Sequence, residues 1–121
     1  MPYTVMLVDN EAIIPRGLMC LIDWKAHNCC VRAIANDGVD AVHQIQESPP
    51  DILITDIRMP EMDGLEASRA IRDIDPEIPI IALTANAFDS DKQKAIDAGC
   101  NDYMAKPIVV GQLTAMIKKY I

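Results

Sequence analysis

The sequence predicts one α/β domain built on a central parallel sheet, and three observations predict it. Short apolar runs alternate with stretches whose apolar residues recur at helical spacing. The runs are too uniformly apolar for a sheet with one wet face, so they read as strands buried on both sides. Several of them end on a polar residue, as strands do where they emerge at a sheet edge. Right-handed crossovers between parallel strands then place helices on both faces.

The first run is Val5-Met6-Leu7-Val8, closed by Asp9, and Ile14, Leu18, Leu21 and Ile22 follow at helical spacing. Pro15 has no N–H, so a helix begun at Glu11 starts irregularly or kinks there. Val31 to Ala35 gives a second strand, and Ala41, Val42 and Ile45 mark a short helix between Gly38 and Pro49-Pro50. Ile52 to Thr55 gives a third strand with Asp56 at its end. The next helix offers Ala67, Ala70, Ile71 and Ile74 and stops at Pro76.

Ile80 to Thr84 is the fourth strand, and Asp89 or Ser90 caps a helix that Gly99 terminates. Only Ala95, Ile96 and Ala98 offer that helix burial, so it is expected to be the least firmly anchored. A last strand at Tyr103 to Ala105 leads through Lys106-Pro107 into a helix with Val110, Leu113 and Ile117 on one face. Periodicity carries no strand order.

A chain of 121 residues suits one core, and folding at this size buries about two-thirds of the surface the unfolded chain exposes. With 24% charged residues and eight scattered prolines, the composition is that of an ordered globular domain. The net charge of -7 argues against direct nucleic-acid binding, which needs clustered cations; the longest basic cluster is Lys118-Lys119. No stretch approaches the roughly 18 apolar residues of a membrane span, and no signal sequence opens the chain, so a cytoplasmic location is expected. Cys20, Cys29, Cys30 and Cys100 are expected as reduced structural thiols, because adjacent cysteines form no ordinary bridge and no Cys-x-x-Cys pair supports zinc.

In a parallel sheet all strand carboxyl ends point one way, so Asp9-Asn10-Glu11, Asp56, Thr84 and Lys106 are candidates to line one pocket. Asp9 and Asp56 supply hard oxygen donors suited to Mg²⁺. Two carboxylates and one ammonium leave an empty site net negative and a magnesium-loaded one net positive, able to receive a phosphoryl dianion. Lys106 and the Thr84 hydroxyl would then meet its oxygens, with Asp56 as nucleophile. Taken singly, an Asp after an apolar strand is more often a turn former or a helix cap, and Lys106 a solvated lysine. Four matched strand ends reverse that reading.

These residues resemble the response-regulator receiver domains of two-component signalling. The resemblance spans Leu7-Val8-Asp9-Asn10-Glu11, Pro50-Asp51-Ile52 through Asp56-Ile57-Arg58-Met59-Pro60 to Met62-Asp63-Gly64, Thr84-Ala85, Ala98-Gly99, and Asp102-Tyr103 with Lys106-Pro107. It implies a flavodoxin-like (βα)5 fold, a three-layer sandwich around a five-stranded parallel sheet. It implies that Asp56 takes a phosphoryl group from a histidine kinase or histidine phosphotransfer domain, with Lys106 on the phosphoryl group. It also implies that Asp9, Asn10, Asp56 and the backbone carbonyl of Arg58 hold Mg²⁺. Thr84 and Tyr103 would be the switch residues, and the fourth helix, fifth strand and fifth helix the surface that changes, where a homodimer can also form. A cis peptide before Pro107 is usual in such domains.

Asn10 departs from the family pattern, which has a second carboxylate there; weaker Mg²⁺ binding is the expectation, with Glu11 compensating in part. Other classes fit less well. A phosphatase with an aspartyl-phosphate intermediate commonly wants an acid two residues after the nucleophile, where Arg58 stands, and a flavin carrier needs a hydroxyl- and glycine-rich loop in place of Asp9-Asn10-Glu11. A degenerate receiver that binds partners without phosphorylation is admitted by Asn10 alone. The whole chain, residues 1–121, is expected to be a single receiver domain belonging to a longer multidomain protein. Its first half looks like receivers of DNA-binding regulators and its second half like those of hybrid sensor kinases. Trp24 has no predicted role.

Overall fold

Buried apolar strands dictate the architecture. The computed structural model describes residues 3–9, 17, 19–20, 22–56, 64–84, 89–105 and 109–120, with the side chains of 64, 65 and 89–92 outside the description. Five strands, β1 (Tyr3–Val8), β2 (Cys29–Ala35), β3 (Ile52–Asp56), β4 (Ile80–Thr84) and β5 (Asp102–Ala105), form one parallel sheet in the order β2-β1-β3-β4-β5. That order supplies what the sequence withheld. The chain winds one way from β1 to β2 and the other way through β3, β4 and β5, so the direction reverses between β1 and β3. In open α/β sheets a crevice opens at such a reversal, outside the strands' carboxyl ends.

Period-two alternation divides the core between the two faces. Met6, Val8, Leu53, Ile80 and Ala82 face one side and pack with Ala41, Ile45, Ala67, Ile71 and Ala95. Val5, Leu7, Ile52, Ile54, Ile81 and Leu83 face the other and pack with Ile22, Trp24, Leu113 and Ile117. Each fully buried Ile or Leu contributes about 1.5–3 kcal/mol. Trp24, 8% exposed, is therefore a core residue at the start of a 3-10 turn, Lys25–His27.

Gly17, Met19 and Cys20 are helical and belong to a first helix, α1; Pro15 lies outside the described residues. Helix α2 (Gly38–Glu47) begins where the Asp37 side chain accepts the Asp40 N–H at 2.8 Å, and it buries Ala41 and Ile45 one stride apart. In α3 (Gly64–Ile74) the buried stripe is Ala67, Ser68 and Ile71, rotated away from the predicted apolar face. Ala70 is half-buried and Ile74 exposed, because burial follows Ser68, whose Oγ lies 3.4 Å from Cys100 Sγ.

In α4 (Asp89–Asp97) and the residue after it, Ala95 and Ala98 are buried as predicted, but Ile96 is exposed, since it lies about 100° round the helix from Ala95. Helix α5 (Val110–Lys118) buries Leu113 and Ile117 as expected. All four cysteines are free, Cys29 and Cys100 buried and Cys20 and Cys30 exposed. Burial above all pushes the Cys29 and Cys100 thiols up, which keeps them protonated and unreactive. No helix among the described residues is long and apolar enough to cross a membrane.

Candidate functional site

The strand register brings the acidic residues together. Val8 of β1 pairs with Thr55 of β3, so Asp9 and Asp56 occupy the next level on neighbouring strands, whose spacing is about 4.8 Å. Asp9 lies one residue past β1, yet its N–H still donates to the Ala35 carbonyl at 3.1 Å, which ties it to β2. Asp56 ends β3 opposite Leu83, so Thr84 on β4 stands one level further out. These two carboxylates flank the point where the strand order reverses.

All three side chains are withdrawn from water: Asp9 is 2% exposed, Asp56 5% and Thr84 1%. Burying a charged carboxylate is costly unless other groups compensate it, and both carboxylates are engaged by neighbouring groups. Two adjacent buried carboxylates are hard oxygen donors of the kind that holds Mg²⁺, so this donor set fits the metal. Asn10 and the Arg58 carbonyl, the other predicted ligands, lie outside the described residues, as do Lys106 and the peptide before Pro107. Among the described residues no three His, Cys, Asp or Glu side chains gather into a metal cluster.

Thr84 pairs with Ala105, the residue immediately before Lys106. Tyr103 pairs with Ala82 in the same strand pair, and its half-buried ring packs against the core on the α3 and α4 side. Thr84 and Tyr103 are thus set at the end and near the middle of adjacent strands, beside α4. Two polar residues escaped the sequence reading. Thr55, 1% exposed, donates its hydroxyl to the Asp56 carbonyl at 3.0 Å and so ties down the backbone at Asp56. Arg72, inside α3, donates to several loop carbonyls. A hydroxyl inside an otherwise apolar strand was the available signal for Thr55; nothing in the sequence marked Arg72.

Residues 5–118 match the family model described as the response regulator receiver domain. Response regulator MprA of Mycobacterium leprae is 32% identical over 114 residues, covering 94% of this chain and 49% of that protein. MprA of Mycobacterium tuberculosis is 31% identical over 118 residues, covering 98% and 50%. The chain spans about half the length of the curated relatives it matches. Among solved structures, the REC domain of AraT, a response regulator from Geobacillus stearothermophilus, superposes with a TM-score of 0.89 at 34% identity, covering 99% of this chain and 93% of that one. The receiver domain of sensor histidine kinase PA1611 from Pseudomonas aeruginosa gives 0.83 at 29% identity, covering 99% and 98%; it carries a magnesium ion in its active site cleft.

Proposed function

The chain belongs to the response regulator receiver domain family, and from that premise we propose that Asp56 accepts a phosphoryl group from a histidine kinase or histidine phosphotransfer domain. The observation that carries this is the burial of Asp56 beside Asp9 at the carboxyl edge of the sheet, with Thr84 one level above on the next strand. A carboxylate oxygen of Asp56 attacks phosphorus, the bond from phosphorus to the donor's imidazole nitrogen breaks, and the imidazole leaves as its neutral, reprotonated form. An acyl phosphate remains on Asp56.

Asp9, Asp56, Asn10 and the Arg58 carbonyl would hold Mg²⁺, which when bound offsets the charge shared by the carboxylates and the incoming phosphoryl oxygens. Lys106 supplies an ammonium and Thr84 a hydroxyl to those oxygens. Withdrawal of Thr84 toward them moves the end of β4, and Tyr103 follows by changing its burial. The surface of α4, β5 and α5 then alters. That surface includes a groove of about 480 Å³ between β5 and α5, lined in part by Tyr103, Met104, Gln112 and Met116. The whole chain thus serves as one receiver module, cytoplasmic and monomeric or dimeric through this face, for an output carried on another segment or another protein.

The test is intact mass after incubation with Mg²⁺ and acetyl phosphate. A phosphate-sized gain that disappears in Asp56→Asn supports the proposal. No gain with acetyl phosphate or with a phosphorylated histidine donor would overturn it in favour of a binding module that works unphosphorylated, the reading Asn10 admits.

A further inference from the structure

Helix α4 is fastened at its carboxyl end. Of its described side chains, 93–97, only Ala95 is buried, whereas Gln93, Lys94, Ile96 and Asp97 are exposed. That end is closed by a double hydrogen bond: Cys100 N–H donates to the Ala95 carbonyl and Gly99 N–H to the Ile96 carbonyl, both at 3.0 Å. Gly99 sits at φ 101°, a left-handed conformation in which glycine is favoured.

Arg72 of α3 grips this closure. Its Nε donates to the Gly99 carbonyl at 2.9 Å, one terminal nitrogen donates to the carbonyls of Pro76 at 3.1 Å and Ile78 at 2.6 Å, and the other donates to Asn101 Oδ1 at 2.5 Å. The same Asn101 oxygen accepts the Ile80 N–H at 2.9 Å, at the start of β4. One planar guanidinium therefore joins α3, the loop into β4, the end of α4 and the approach to β5, a geometry that a lysine's point charge cannot reproduce. The contact is close: a Cβ on Gly99 would lie 2.8 Å from Arg72 Cγ.

We propose that the Arg72–Asn101 network is the fixed pivot of α4, so that a change driven from the Thr84 end tilts the helix about Gly99 instead of sliding it along the sheet. The inference rests on the reading that phosphorylation of Asp56 drives the change. A helix with little buried face among its described side chains and a charge-clamped carboxyl terminus turns most readily about that terminus. Arg72 is on this account a positioning residue; it touches neither Asp56 nor the phosphoryl group.

Amide hydrogen exchange, read residue by residue with and without Mg²⁺ and acetyl phosphate, tests the pivot, while intact mass on the same samples reports Asp56 phosphorylation separately. In the unsubstituted protein, phosphorylation should change exchange severalfold in residues 89–94 and by less than about twofold at Gly99 and Cys100. Arg72→Met keeps the aliphatic stem and removes the guanidinium; exchange at Gly99 and Cys100 should then rise about tenfold even without phosphate, and the response to phosphorylation should reach them. Asn101→Ala, on an exposed residue, serves if Arg72→Met does not fold, with about a threefold rise. The pivot is overturned if Gly99 and Cys100 respond as strongly as 89–94 in the unsubstituted protein, or if their exchange is unmoved in the folded variants. A protein that gains no phosphate mass contradicts the proposed function, and the unphosphorylated variants still decide whether Arg72 holds the helix end.

Discussion

The two edges of the sheet are built on opposite terms. At the amino edge, Thr4 and Asp51 exchange four hydrogen bonds: Asp51 Oδ2 accepts the Thr4 N–H at 2.7 Å and its hydroxyl at 3.2 Å, and Asp51 N–H donates to the Thr4 Oγ1 at 3.0 Å and carbonyl at 2.9 Å. Arg72 and Asn101 fasten the β4 and β5 side of the same edge, and the Tyr120 hydroxyl donates to the Asn101 carbonyl at 3.1 Å and to Asp102 Oδ2 at 3.3 Å. At the carboxyl edge, the Asp9 and Asp56 carboxylates are buried side by side, and each costs stability to the extent that neighbouring groups do not compensate its charge. Among the described residues, the side-chain networks of Asp51, Arg72 and Asn101 lie where the strands begin, and the residues of the proposed phosphoryl site lie where they end. We infer that the carboxyl edge changes its charge without loss of the fold.

Gly99→Ala attacks the fastened edge most severely. It combines a disfavoured left-handed backbone with a contact of 2.8 Å to Arg72, and it should lower unfolding free energy by about 2–4 kcal/mol in denaturant titration. Phosphoryl uptake per folded molecule should persist. Asn10→Asp sharpens the other edge: a third carboxylate in the proposed metal set, beside Asp9 and Asp56, should tighten Mg²⁺ about tenfold in a binding titration, and an unchanged dissociation constant would show that Asn10 does not limit the affinity. Asp9→Asn should raise stability by about 1 kcal/mol in metal-free buffer by relieving repulsion with Asp56, and Mg²⁺ should erase that advantage.

The smallest effect concerns Tyr120. Partial burial, then the Asp102 carboxylate and the hydrogen bond to it, raise its hydroxyl above the usual pKa of 10.0. A group raised in the folded state stabilises fully below its unfolded pKa and loses that contribution as pH rises through the folded one. Stability should thus be insensitive to Tyr120 below about pH 10 and decline above it. Tyr120→Phe should remove that alkaline decline, at a cost under about 1 kcal/mol at neutral pH.

The carboxyl edge was the more legible of the two. Asp9, Asp56 and Thr84 each close an apolar run, and parallel strands leave such ends no choice but to share an edge. Gly99 was legible as a helix stop for the same local reason, the left-handed turn it provides. The strand order was not, because alternation reports which face a residue uses and says nothing of which strand lies beside it. Nor was the face of α3, where Ser68 is buried against Cys100, a residue 32 positions away. Arg72 stayed hidden because three of its four acceptors are backbone carbonyls, and no side-chain pattern marks a carbonyl. Asn10, Arg58 and Lys106 fall outside the described residues, so their roles rest on the family pattern.

The division of labour between the edges meets its most direct test when phosphoryl uptake and unfolding free energy are measured together on Asp56→Asn and Asp51→Ala. Asp56→Asn should take up no phosphate from acetyl phosphate and lose no stability, while Asp51→Ala should lose about 1–3 kcal/mol and remain phosphorylated when folded. An Asp56→Asn protein that still gains phosphate mass, or one that unfolds as readily as Asp51→Ala, would contradict the account.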